Sequence, residues 1–460
     1  MNESYQTKKQ VLEKAKTMLS KSLREIISSE VLATIEGQIE EYNLKRKGFL
    51  GDLMEKYFFE INPGNISEPD FTVAGIELKT TPLKKHAVKT FVSKERLVFS
   101  MINYDSIVSE TWKMSSFLKK NKSLLLLFYL WIENQSILDY KFKFVHLLNL
   151  LEDISSEDIF QIQKDWEYIV AKIKRGEAHL LSEGDTYYLG ACTKAANSRV
   201  VRDQPMNRTP AKPRAFSFKQ QYINYLIQTK LLKKKTNTDS IFKKQRRLET
   251  IENVTKEKLT PFIGKTDKQI IKTLKTRINK KSKNYKRLLV NKILGINSDS
   301  IEELDKANIT LKAITLEHTG TLKESISFPA FDYKDLVTQI WDDDDNETMA
   351  DFHLQLETKK FLFVVFQKQK GGENIVLKKT TFWNFPMRDI NEAERIWQKT
   401  IDCINEGRYE DLPKISESTV AHVRPHGKNS QDTIITPQGT MEMKKCFWLN
   451  AKYIQKILEI

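Results

Sequence analysis

The chain is poor in cysteine and in long apolar runs. Its three cysteines, Cys192, Cys403 and Cys446, lie far apart in 460 residues. Neither a disulfide framework nor a CxxC zinc pattern can be built from them, and a reducing, cytoplasmic setting is expected. The longest apolar run, Leu124 to Ile132, has nine residues, against the ~20 that cross a bilayer. The opening MNESYQTKKQ lacks the apolar centre of a signal peptide. No GxxxxGK[ST] loop occurs, and the seven histidines show no HExxH spacing. Nucleotide hydrolysis and a histidine-built zinc site are therefore not expected. The four acids Asp342 to Asp345 lack the glycine and the distant glutamate of a calcium loop, and read as an exposed turn. Apolar material is plentiful, at 40% with 10% aromatic, enough to fill two or three cores at this length.

Charge is unevenly spread. The net charge is +15, yet residues 231–290 alone hold nineteen Lys and Arg against five acids. The other 400 residues are almost neutral, so the sequence reads as two balanced bodies around a cationic segment that a polyanion would favour. Within that segment Ile270, Ile271, Leu274 and Ile278 fall at helical spacing, which predicts one amphipathic helix from about Thr266 to Leu294 with its basic side outward.

The two bodies follow the same order of motifs. The first offers GDLMEKYFFEI, GIELKTTPL, SLLLLFYLWI, QKDWEYIVAKIKRGE, KAANSR and PRAFSFKQQYINYLI; the second offers RLLVNKILGI, NITLKAITL, KFLFVVFQ, AERIWQKTIDCINEG, HGKNSQ and KKCFWLNAKYIQKIL. Short Val, Leu, Ile and Phe runs alternate with segments of 3.6-residue period, so each half is an α/β (mixed α+β) domain and the chain is a tandem duplication. The expected division is 1–230, a basic linker at 231–250, and 251–460.

Chemistry concentrates in SEPDFTVAGIELK, residues 67–79. Side chains alternate along a strand, so Glu77 and Lys79 share one face while Ile76 and Leu78 face a core. Gly75 permits a sharp turn that folds Asp70 back beside Glu77. Two carboxylates of this kind are a hard-oxygen site suited to magnesium with several waters, and Lys79 can bind the attacked phosphate or help position a water. An ordinary surface strand carrying an exposed ion pair has the same composition. Context favours the site: Glu55 lies on the preceding helix, Lys119, Lys120 and Lys122 cluster further on, and the chain is basic. Farther along, Lys194, Asn197 and Arg199 of TKAANSR are side-chain types that pair with base edges or phosphates.

KGFLGDLMEKYF, EPDFTVAGIELKTTP, TWKMSSFLKKNK, the WEYIVAKIKRGE helix and TKAAN together resemble the MutH family of mismatch-repair endonucleases over residues 1 to about 225. The second half resembles it more faintly. Two such domains in tandem resemble the GATC-cutting type II restriction enzymes in which the first domain cuts and the second binds DNA as an effector.

The resemblance implies a restriction-endonuclease-like fold, twice over, and magnesium-dependent cleavage of double-stranded DNA at GATC. It assigns the helix glutamate to Glu55, the metal carboxylates to Asp70 and Glu77, the motif lysine to Lys79, and a further lysine to Lys120, with Lys119 and Lys122 close enough to compete. It places DNA contacts at Lys194, Phe216 and Lys219. Cys192 and Ser217 depart from the arginine and tyrosine that in the family lie near the recognised adenine. In the second half Thr310 stands for Glu77, Lys312 for Lys79 and Asn291 for Glu55, so the acids are expected to be gone and that half to bind a second GATC duplex without cutting it. The free protein is expected as a monomer that pairs on DNA. Other readings are a non-catalytic DNA-binding or regulatory protein with a degenerate nuclease fold, and a MutH-like repair nickase.

Overall fold

A computed structural model of the chain describes residues 5–42, 48–62, 67–87, 90–194, 200–234, 238–243, 247–342 and 349–459. Each half is built on a twisted sheet. The first sheet has the order β2-β1-β4-β5, from Thr90–Ser93, Glu77–Ala87, Ser123–Leu130 and Phe142–Asn149. Strands β1 and β4 run parallel, the other pairs antiparallel. The apolar run of β4 is buried on both faces, as a central strand of a covered sheet should be. Leu78, Leu125 and Leu127 pack beneath the helices Lys8–Lys16 and Phe49–Leu53. Leu124, Leu126 and Phe128 face the opposite core with Trp112, Phe117 and Trp166, the last from the helix Ser156–Lys174.

Beside it lies a smaller sheet of β3 (Leu97–Met101), β9 (Arg214–Phe218) and β6 (Leu189–Thr193), in that order, and a hairpin of β7 (Arg202–Gln204) with β8 (Asn207–Ala211). The second half repeats the plan. Strands β10 (Ile309–Leu316), β12 (Lys360–Lys368) and β13 (Ile375–Asn384) form its main sheet; β11 (Ile326–Ala330), β17 (Lys445–Leu449) and β14 (Ala421–Pro425) form the smaller one; β15 (Thr433–Ile435) pairs with β16 (Met441–Met443). The registers match. Glu77 sits beside Leu124 and Thr310 beside Phe361 in the two parallel pairs. Ahead of each first strand one residue is left-handed, Gly75 at φ 64° and Asn308 at φ 56°. Asparagine tolerates that conformation better than most side chains, so the repeat keeps the turn while losing the glycine.

The expected single helix over 266–294 is instead two, Asp267–Thr273 and Tyr285–Leu294. Thr266 caps the first with a reciprocal Gln269 contact. Lys275, at φ 48°, ends it, and the following NKKSKN supplies polar residues that favour turns over helix continuation. Residues 238–243 are packed against the second half. Asp239 accepts from the Asn297 and Ser298 amides at 2.8 and 3.0 Å, and Ile241 is fully buried.

Some of the basic segment's charge is structural. Lys258 donates to the Ile241 and Leu294 carbonyls and Lys286 to Thr315. The largest core contains residues from both halves, including Tyr222 and Ile223 with Val254 and Leu304. Asp342 pairs with Lys212; the three acids after it lie outside the described residues. Among the described residues no helix is long and apolar enough to cross a membrane.

Candidate active site

Asp70 and Glu77 are brought together by backbone geometry. The Phe71 amide donates to the Ile76 carbonyl at 2.9 Å and the Gly75 amide to the Phe71 carbonyl at 2.8 Å, closing a tight loop through left-handed Gly75. As a result the Asp70 carboxylate accepts from the Leu78 amide at 2.8 Å, and the Asp70 amide donates to Glu77 Oε2 at 3.3 Å. Ile76 and Leu78 point into the core on the other face. The alternation in the sequence thus becomes one polar and one apolar face.

Glu77 is 2% exposed and its charge is met by two cations. Lys79 Nζ lies 2.8 Å from Oε1 and Lys120 Nζ 3.6 Å from the same atom. This geometry separates the three clustered lysines. The Lys120 side chain is 13% exposed, whereas that of Lys119 is 59% exposed and pairs with Glu68 outside the recess. Lys122 is exposed. Lys120 is brought there by the helix Ser116–Asn121, whose first turn is capped by Ser115.

Glu55 completes the group from a single π-helical turn, Met54–Phe58, that follows the helix Phe49–Leu53. Extra-residue turns of this kind redirect a side chain within a helix and recur at functional sites. Burial, then the charges of Asp70, Asp52 and Glu77, push the Glu55 carboxyl up to about 8. Burial and Glu77 likewise raise Asp70. Carboxyls that hold their protons because burial and neighbouring carboxylates disfavour the charge lose them readily when a divalent cation binds. The donors are all oxygen, which fits a hard divalent ion rather than zinc. Among the described residues no three His, Cys, Asp or Glu side chains are already gathered as a ligand set; Asp70 and Glu77 are the two carboxylates that the fold brings together.

The expected DNA-contacting residues divide. Lys194 is half-buried at the end of β6, its amide donating to the Pro213 carbonyl at 2.9 Å. Asn197 and Arg199 lie outside the described residues. Phe216 and Lys219 are each 1% exposed, so in this conformation neither reaches a duplex, contrary to their expected contact role. Phe216 packs edge-on against Phe117 at 5.3 Å, and Lys219 Nζ donates to the Thr186 carbonyl at 2.6 Å. Both lie on β9 or just after it, where β3 and β6 flank the strand and cover it. Cys192 and Ser217 are buried in the same sheet.

In the second half Thr310, Lys312 and Asn291 stand where expected, but one acid survives. Counting back from the matched strands places Glu303 at the Asp70 position. It is 1% exposed and occupied, accepting from Ser240 Oγ and from the Ile241 amide. An ungapped reading of SIEELDKANITLK against SEPDFTVAGIELK would have found it. The Lys120 position is held by Glu357, turned to Arg214 of the first half at 3.3 Å.

The family described as DNA mismatch repair enzyme MutH matches residues 59–165, which span the Asp70, Glu77 and Lys120 cluster. Over 503 aligned positions the chain is 30% identical to the type II restriction enzyme Sau3AI of Staphylococcus aureus, covering 99% of both chains. The chain belongs to the Sau3AI family of type II restriction endonucleases. DNA mismatch repair protein MutH of Shigella flexneri is 28% identical, and that of Escherichia coli 27%, each over 48% of this chain and 92% of the relative. The Sau3AI-like chain therefore has a MutH-like first half and a second half that the MutH proteins lack.

Proposed function

We propose that this restriction endonuclease cuts both strands of double-stranded DNA at GATC, using one site per chain, and that its second half binds a further GATC duplex without hydrolysing it. The observation that carries the reading is the folding of Asp70 onto Glu77 with Lys79 and Lys120 on the same carboxylate oxygen. Asp70 and Glu77 would hold magnesium, with waters completing its shell. When bound, that ion supplies a more acidic water and charge neutralisation at the phosphate. Lys79, two residues along the same strand face, orients the attacking water and takes part in removing its proton. Lys120 faces the phosphate and offsets the charge that grows there. Glu55 contributes a water contact beside the pair. Lys194 and the loop beginning there, with Asn197 and Arg199, read the base edges.

At the positions that match Asp70, Glu77 and Glu55 the second half has no free acid pair, since Thr310 and Asn291 are neutral and Glu303 is occupied, and so this face does not repeat the chemistry. The chain is a monomer that pairs on its target. Incubation with plasmids, unmethylated or methylated at adenine or cytosine, with and without magnesium, followed by sequencing of the ends, tests the reading. Ends at GATC on both strands only with the metal are expected; nicks on one strand, or no cleavage, would overturn it.

A further inference from the structure

The strand face that carries Glu77 and Lys79 in the first half is reused in the second with the opposite charge balance. Thr310 and Lys312 stand beside Phe361 and Phe363 on β12, as Glu77 and Lys79 stand beside Leu124 and Leu126 on β4. Strand β10 is an edge of its sheet, so this face is open at one side. The positions that were acidic are closed to cations: Glu303 is bound to Ser240 and Ile241, and Asn291 donates its amide to the Ser298 carbonyl at 3.2 Å. Glu357, in the place of Lys120, faces Arg214.

What remains is cationic. Lys312 is half-buried and makes no hydrogen bond or ion pair among the described residues. Lys359, which immediately precedes β12 as Lys122 precedes β4, is half-buried too. Among the described residues its ammonium meets only the neutral side-chain oxygen of Gln355, at 3.3 Å. Burial, then the charge of Lys312, lowers the proton affinity of Lys359, and burial lowers that of Lys312. Lys359 is extended and two residues ahead of Phe361, so it falls on the sheet face that carries Thr310 and Lys312; two partly desolvated ammonium groups on one face without a counter-charge are unfavourable, and an anion bound there offsets both penalties. Lysine serves such a site as a compact point charge, well matched to phosphate oxygens.

We propose that Lys312 and Lys359 form a metal-independent phosphodiester site, with which the second half grips a backbone phosphate of its DNA duplex on the strand face that in the first half carries Glu77 and Lys79. The half-buried Thr310 hydroxyl adds a neutral donor to the same face. The site rests on the reading of the second half as a DNA-binding unit. It also explains why duplicated machinery can hold a phosphate while doing no chemistry: two lysines neutralise the charge that a metal would otherwise meet.

The test is calorimetric titration of a short GATC duplex into the full chain in EDTA, where nothing is cut. The wild type is expected to take two duplexes per chain. In Lys312→Gln/Lys359→Gln one of the two steps should weaken at least tenfold, and its salt slope should flatten by about 0.9, the contribution of one contacted phosphate. Lys312→Arg/Lys359→Arg should keep both steps. A scan of duplexes bearing one neutral methylphosphonate each needs no variant and guards against misfolding. One position should weaken that step in the wild type and add nothing in the Gln variant. Two wild-type steps with no sensitive methylphosphonate position, or with a folded Gln variant unchanged in affinity and slope, would overturn the phosphate site alone. A single duplex per wild-type chain would overturn the effector reading and remove the site with it.

Discussion

Arg214 of β9 and Glu357, just before β12, form an ion pair of 3.3 Å whose side chains are 2% and 5% exposed. The pair crosses from the first half to the second, and Arg214 also donates to the Ala191 carbonyl on β6 at 2.6 Å. Nearby, Lys306 pairs with Asp158 at 2.7 Å, both side chains 4% exposed, and Lys360 donates to the Asp185 carbonyl at 2.9 Å. Buried charges of this kind add little net stability when intact but are costly to break, because the survivor stays desolvated.

Glu357→Ala should accordingly destabilise the whole chain by about 3–5 kcal/mol, read from urea unfolding. The acid limb carries a sign. Burial alone would raise the Glu357 carboxyl, but Arg214 and His353 more than offset it and hold it below the usual range. The stabilisation from this group is therefore fully present above the ordinary carboxylate pKa of about 4.3 and is lost as pH falls through the lower folded value. Glu357→Gln should remove that part of the acid dependence. Identical acid limbs in wild type and Glu357→Gln would mean the pair is not ionised.

Much of the site was legible in the sequence because it is local. Alternation puts Glu77 and Lys79 on one face, and Gly75 allows the turn that returns Asp70; all four lie within ten residues. The Lys120 choice could not be read locally, since only the helix orientation separates it from Lys119. The burial of Phe216 and Lys219 was not legible, because it depends on strands remote in sequence. The break at Lys275 and the occupied Glu303 were also hidden, the first by a backbone conformation and the second by a partner sixty-odd residues away.

Glu77→Ala and Lys79→Ala should each abolish cleavage, by at least roughly a hundredfold, while leaving duplex binding in calcium largely intact, because the recess and the Lys194 loop are separate elements. Lys120→Ala should lose activity on a similar scale. Lys119→Ala and Lys122→Ala should stay within a few-fold of wild type, since their side chains face outward. Single-turnover cleavage with saturating enzyme measures this; a large loss at Lys119 with none at Lys120 would reverse the assignment.

Lys219 gives a contrast between structural and contact roles. Burial drives its ammonium down to about 8, below the value near 10.4 of an unfolded chain. Below pH 8 the folded state bears the cost of a buried charge, and as pH rises from there toward 10.4 that cost is relieved, so the wild type gains relative to a variant without the group. Lys219→Met should therefore compare best with wild type in melting temperature at pH 7 and lose that advantage by pH 10, with no change in the salt slope of DNA binding. Lys194→Ala should do the reverse, weakening binding with little effect on melting. A flattened salt slope in Lys219→Met would show that the residue becomes exposed on DNA.

One acid set per chain must serve two strands, so a single site either acts twice or two chains meet on one target. The second half, with neutral Thr310 and Asn291 and the occupied Glu303, supplies no second set. If it holds another GATC duplex and thereby favours pairing, plasmids with two sites should be cut several-fold faster per site than plasmids with one. Added short GATC duplex should then speed the slow reaction, and a duplex of unrelated sequence should not. The Gln variant at Lys312 and Lys359 should need more duplex to reach the same stimulation, which links the pairing to the second half without touching Glu77 or Lys79. Equal rates on one-site and two-site plasmids, unaffected by added duplex, would remove the effector role and leave the second half as a clamp on the same DNA.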